Sequence, residues 1–209
     1  MKKFLAMMLA LVMALSLVAC GGKTDDGSSD ASGDKVVKIG VFEPTSGQNG
    51  GGGKKEILGV EYAHSLKPTV TINGEEYSVQ LVYADNASDQ AKAPTAAQTL
   101  ISQGVSVVIG TYGSACAIAA GPLFESAKIP AIGTSCTNPQ VTAGNDYYFR
   151  ICFLDPFQGT VLANFAMSKF SAKTAYCLGE SGNEYDQGLI SYFTKVFEAA
   201  GGKVISDSY

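Results

Sequence analysis

From Lys35 onward, short apolar runs rich in β-branched residues alternate with segments whose apolar residues recur at helical spacing. That alternation restricts the chain to a sheet wrapped by helices. Strands are predicted at VVKIGVF (36–42), YSVQLVYAD (77–85), VSVVIG (105–110), IPAIG (129–133), YYFRICF (147–153), TAYCLG (174–179) and KVISDSY (203–209). Helices are predicted over 52–66, 88–104, 114–128, 155–171 and 185–200. Strands joined by single helices run parallel, so the fold class is α/β with a parallel sheet. Asp89 is placed as the cap of helix 88–104, with Pro94 in its first turns. Gly121 and Pro122 should bend or break helix 114–128.

The first 34 residues do not follow this pattern. MKKFLAMMLALVMALSLVAC has two lysines, an uncharged apolar run from Phe4 to Ala19, and then Cys20. This is the charge and hydropathy profile of a secretory signal peptide, 1–19, and the run is short for a membrane span. Leu17 to Cys20, LVAC, resembles the lipobox of bacterial lipoproteins. That resemblance implies cleavage before Cys20 and lipid on its sulfur; the alternative is a plain secretory signal. The following GGKTDDGSSDASGD (21–34) lacks any aliphatic residue larger than Ala, so it reads as a flexible linker. The expected location is outside the cytoplasm, either anchored by lipid to the outer face of the cytoplasmic membrane or periplasmic.

Composition removes several function classes. The formal charge is −4 and no basic run follows Lys2 and Lys3, so nucleic acid is not a partner. The only histidine, His64, falls on a helix at the far end of the first βα unit and reads as an exposed or half-buried helical residue rather than a base. YGSAC lacks the final Gly of a hydrolase nucleophile elbow, and GQNGGGG lacks the Gly-x-Gly-x-x-Gly of a dinucleotide loop. Serine hydrolase and dinucleotide-binding enzyme are therefore the weaker alternatives; the chain reads as a non-enzyme with no cofactor and no metal. Cys116, Cys136, Cys152 and Cys177 each adjoin apolar segments and are expected to pack as small hydrophobes. A Cys116–Cys136 disulfide is the alternative.

Chemistry is expected in the loops after the strands, because open α/β sheets bind ligands beyond their carboxyl ends. GTYGSAC places Ser114 at the first turn of a helix, where free N–H groups favour a carboxylate. GTSCTNP offers carbonyls and the Thr137 hydroxyl to an ammonium group, with its hydroxyls replacing stripped water. Donors on one loop and acceptors on the next describe a clamp for a zwitterion. The plainer alternative makes Ser114 a helix cap and Thr137 a turn residue.

Seven segments carry a family resemblance: VVKIGVFEPTSG, GVEYA, LVYADNASD, VVIGTYGSACAIAAGPLFE, IPAIGTSCTNPQVT, YYFRICFLDPFQG and NEYDQG. With them the chain resembles the bacterial branched-chain amino-acid-binding proteins, the solute receptors of ABC importers, which have the type I periplasmic-binding-protein fold. The resemblance implies two α/β lobes closing over an amino acid, with lobe 1 at 35–150, a first crossing near Arg150–Asp155, and the start of lobe 2 at 151–209. It implies that Ser114 holds the ligand carboxylate, the Ser135 carbonyl takes the ammonium, and Thr137 contacts both. Tyr112 and Gly113 would touch the ligand from lobe 1, and Tyr185 would close from lobe 2. Implied partners are a free amino acid, importer permease subunits and the membrane through its lipid anchor, with the receptor a monomer.

Three departures qualify this. The family often carries an aromatic where this chain has Gly50–Gly53, which leaves receptors for amides, urea or another amino acid open. A disulfide found in some members would need cysteines where Ser88 and Gly113 stand. Members are close to twice as long in their exported part, and their second-lobe acidic partner for the ammonium falls past Tyr209. The chain therefore reads as an N-terminal fragment, expected to bind amino acid weakly or not at all and to leave strand edges open to aggregation.

Overall fold

The computed structural model describes residues 35–209. The segments read as signal peptide (1–19), lipid-bearing Cys20 and linker (21–34) lie outside the described residues.

Six strands form the first sheet. β1 (Val36–Glu43) occupies the middle, with β3 (Glu75–Asp85) on one side and β4 (Val107–Ile109) on the other, both parallel to it. The order is completed by β2 (Thr69–Ile72) outside β3, and by β5 (Ala131–Gly133) and β6 (Tyr148–Arg150) beyond β4. β2 is an addition to the expected set, and it pairs antiparallel with β3. The turn between them is Asn73-Gly74, both at positive φ (53° and 82°), the two-residue connection whose twist suits a hairpin.

Helices pack on this sheet. α1 (Gly50–Leu66) follows β1, and its His64 bonds the Val79 carbonyl at 2.9 Å, the half-buried helical role expected of it. α2 (Ala93–Ser102) starts later than the sequence suggested, and Asp89 does not cap it. Left-handed Ala87 and Ser88 keep the preceding segment in turns, where Asp89 Oδ1 accepts the Ala91 N–H instead. α3 (Ser114–Ser126) stays one helix despite Pro122. An interior proline costs about 3 kcal/mol. Burying Phe124 and its neighbours on the same face contributes about 1.5–3 kcal/mol for a large side chain, enough to hold the helix together.

The core between sheet and helices centres on Phe42, Leu100, Val108, Phe124 and Tyr148, with Phe42 and Phe124 edge-to-face at 5.6 Å. Cys116 and Cys136 are buried in it, and all four described cysteines are free, so the disulfide alternative falls. Burial pushes the Cys116 thiol up to about 11 and the Cys136 thiol up to about 12, which keeps both protonated.

After β6 the chain enters a second, smaller layer. α4 (Asp155–Phe170), β7 (Thr174–Gly179), α5 (Glu184–Ala199) and β8 (Lys203–Ser208) form a two-stranded parallel sheet with its helices. Gly159 lets α4 approach α5 closely: a Cβ there would lie 2.8 Å from the Phe193 amide nitrogen. Phe157, Phe165, Tyr176 and Ile205 of this layer remain exposed.

Candidate functional site

Because β1, β4 and β5 run parallel, their following loops emerge on one side of the sheet. A cavity of about 960 Å³ lies there, closed on its other side by the loop 180–183, the first turn of α5 and Tyr209. Tyr112, Gly113, Ser135, Thr137 and Tyr185 all stand on its wall. Ser114 does not. Its side chain is buried beneath, where Oγ accepts the Asn138 N–H at 3.2 Å, and its neighbours Ala115 and Cys116 reach the cavity instead. Nor is Ser114 a cap: Gly113 holds that position and no side chain bonds the helix start.

The hydroxyl-rich loop is organised differently from expectation. Thr134 and Ser135 do not turn their hydroxyls to a guest; they donate to the two carboxyl oxygens of Glu56 on α1, Ser135 at 2.6 Å. Beside Glu56 lies Glu43, at the buried end of β1, whose Oε2 accepts the Tyr112 N–H at 2.7 Å. Burial first, and then the neighbouring Glu56 carboxylate, push Glu43 up to about 9, so it is a neutral acid at physiological pH. The carboxyl pair thus fastens β1, α1, the Tyr112 loop and the Thr134 loop together. A second buried fastening joins the ends of β3 and β4, with Asn86 Nδ2 donating to Thr111 Oγ1 at 2.7 Å.

Arg150, closing β6, fixes the rest of the loop. Nη1 donates to the carbonyls of Cys136 (3.0 Å) and Asn138 (2.8 Å), while Nη2 donates to the Pro139 carbonyl and the Thr142 hydroxyl. The Thr137 carbonyl between them accepts the Asp155 N–H at 3.1 Å. Asn138 Nδ2 donates to the Glu184 carbonyl at 2.8 Å, tying the loop to the start of α5, and Gln158 of α4 donates to the Tyr185 hydroxyl at 2.8 Å. The carbonyls of Cys136, Thr137, Asn138 and Pro139 are thereby engaged, whereas the Thr137 hydroxyl itself, buried, has no partner.

Two further features bear on the guest. Tyr112 lies over the first turn of α1, so that a Cβ added at Gly52 would come within 2.7 Å of its ring; a side chain there must displace the tyrosine. The wall carries three acidic side chains, Asp89, Glu180 and Asp186, and among the described lining residues no Lys or Arg.

Glu43, Glu56, Arg150, Asp155 and Gln158 were not singled out from the sequence. Glu43 carried a signal, an acidic residue ending the apolar run Ile39–Phe42 of the central strand, because a buried carboxyl requires a partner. The others reach the site only through pairing across the fold.

The chain matches the model of the periplasmic binding protein family over residues 36–209, and it belongs to that family. An amino acid binding protein of Pseudomonas aeruginosa is 33% identical over 156 residues, 73% of this chain and 41% of the relative. A leucine-, isoleucine-, valine-, threonine- and alanine-binding protein of the same organism is 28% identical, covering 81% and 45%. Among solved structures, a leucine binding protein of Thermotoga maritima superposes with TM-score 0.78 at 34% identity, over 83% of this chain and 49% of that one. A solute binding protein of an ABC transporter from Rhodopseudomonas palustris, in complex with benzoate, superposes with TM-score 0.72 at 26% identity, over 83% and 49%. The chain thus spans about half the length of the relatives it matches, and shares the α/β architecture of the solved one over that span. The relatives are named as binding proteins rather than enzymes. Family membership implies a setting outside the cytoplasm, and no helix of the described residues is long and apolar enough to cross a membrane.

Proposed function

We propose that the chain is the amino-acid-gripping part of a lipid-anchored receptor that delivers its ligand, of branched-chain type, to an ABC importer. The observation that carries this reading is the polarity of the cavity wall. At one end the backbone start of α3 supplies N–H donors to a carboxylate. Elsewhere the wall has Thr137, whose buried hydroxyl has no partner, and three carboxyls already engaged within the fold, Asp89 with Lys92 at 3.7 Å, Glu180 with Asn183 Nδ2 and Asp186 with the Glu180 N–H, without a Lys or Arg among the described lining residues. A zwitterion suits both ends. A benzoate has no cation to offer the acidic groups and would meet their repulsion. The six-stranded layer acts as the first lobe, and Tyr185, held by Gln158, is the contact from the second.

A second reading, a polar amino acid or an amide, is favoured by the side chains of Gln48 and Asn49 on the wall beside Tyr112. Both readings are separated by melting the chain with millimolar leucine, isoleucine, valine, asparagine, urea and benzoate. A ligand at tenfold its Kd stabilises by about 1.4 kcal/mol. Branched-chain amino acids are expected to raise the melting midpoint, weakly for a chain of this length, while benzoate does not. A shift with benzoate and none with amino acids sinks the proposal. The anchor is checked by palmitate labelling of cells producing the chain, which Cys20→Ser should abolish; labelling that persists removes Cys20 from that role.

A further inference from the structure

Among the described residues, three buried side-chain oxygens lack a hydrogen-bond partner, and they belong to two neighbouring residues: Oγ1 of Thr137, a residue that lines the cavity, and both carboxyl oxygens of Asp155. Asp155 is fully buried at the first position of α4, and its N–H already holds the Thr137 carbonyl. The two residues are thereby fixed against each other by their backbones. Of the groups around the carboxyl, the Arg150 guanidinium is engaged by the loop carbonyls, α5 presents Gly188, and Cys152 contributes a neutral thiol. A buried carboxylate without hydrogen bonds is costly. Asn138 Nδ2, against the same Gly188 position, is engaged by the Glu184 carbonyl, and the neighbouring Thr137 hydroxyl has one proton to give to the carboxyl and two lone pairs to offer elsewhere.

We propose that Asp155 is a positioning residue for the ligand: its carboxylate takes the Thr137 hydroxyl proton, which leaves the lone pairs of Thr137 Oγ1 as an acceptor facing the cavity. A hydroxyl free to rotate serves a carboxylate and an ammonium alike; one whose proton is held by Asp155 serves only a donor. The pair therefore selects solutes bearing an ammonium group over those bearing a carboxylate alone. The selection rests on the amino-acid reading above, whereas the pairing does not.

The test has two arms. In the first, without ligand, the Asp155 carboxyl is titrated by carbon-13 NMR in wild type, Thr137→Val and Thr137→Ser. A hydrogen bond to the ionised form lowers a carboxyl pKa, so Thr137→Val should raise that of Asp155 and Thr137→Ser should restore it. An unmoved titration in Thr137→Val overturns the pairing. In the second, melting shifts compare leucine with 4-methylpentanoate, which keeps the side chain and carboxylate and lacks the ammonium. Asp155→Asn can donate to Thr137 and turn its proton outward, so the preference for leucine should fall at least about tenfold, a change of about 1.4 kcal/mol. Equal losses for both ligands mean a merely structural residue and overturn the selection. If wild type responds to 4-methylpentanoate at least as strongly as to leucine while the first arm holds, the pairing stands and the amino-acid reading is what fails.

Discussion

Arg150→Ala is expected to lower the unfolding free energy by about 3 kcal/mol and to remove ligand-induced stabilisation. The side chain donates to three carbonyls and a hydroxyl within residues 136–142, a segment with no sheet or helical ladder of its own apart from one short 3-10 turn at Pro139–Val141. Hydrogen bonds from a charged donor contribute about 1.5–3 kcal/mol each, and acceptors left buried without a partner add their desolvation. Arg150 is only half-buried, so water recovers part of this, which brings four bonds down to the figure given. Lysine cannot reproduce a planar fork that reaches four acceptors, and Arg150→Lys should lie between wild type and alanine. Urea unfolding measures both, and the slope should stay constant while the midpoint moves. A loss under about 0.5 kcal/mol, the range of ordinary surface substitutions, means the loop is held by other groups.

The elements that were legible in the sequence are those whose pattern is local. β1 announces itself as a β-branched run with little alternation and β3 by alternation of polar and apolar residues, and the helices between strands carry their own period. The β2 hairpin is equally local, since Asn73-Gly74 between two strand-forming runs is a strong turn signal, but four residues between a helix and a longer strand give too short a run to show a period of their own. The cavity's position followed from topology alone. Its chemistry did not: Thr134 and Glu56, which decide where the loop hydroxyls point, stand 78 residues apart, and Glu43 stands 69 residues from the Tyr112 amide it accepts. No spacing along the chain encodes such partners. Ser114 shows the converse, a residue of the right type at the right turn whose side chain the Asn138 amide claims first.

Stability should fall steadily as the pH rises from about 5 to about 9, and Glu43→Gln should flatten that decline. The unfolded chain titrates Glu43 near its ordinary 4.5, while the folded chain holds the proton up to about 9. Between these values the folded state binds more protons than the unfolded one. The stabilisation is therefore complete below 4.5 and is lost as the pH climbs towards 9. Each unit of separation corresponds to about 1.4 kcal/mol, and relaxation around the pair reduces the whole to on the order of 3 kcal/mol. Other groups are separable. Asp85, held well below the carboxylate range by the Ser46 hydroxyl and the Thr45 and Ala87 amides, acts at lower pH, and the Cys116 and Cys136 thiols, at about 11 and about 12, act above the window. Asp155 is raised by its burial and acts in the same direction as Glu43, but it is present in both proteins compared. Glutamine copies the neutral acid: its carbonyl can accept the Tyr112 N–H and its amide can donate to Glu56, with no proton to lose. The two proteins should thus be near in stability at low pH and diverge in favour of the variant at about pH 9. Parallel profiles would mean that Glu43 is ionised in the folded chain, and that the pair of carboxyls joining four elements of the site is held apart by something other than a shared proton.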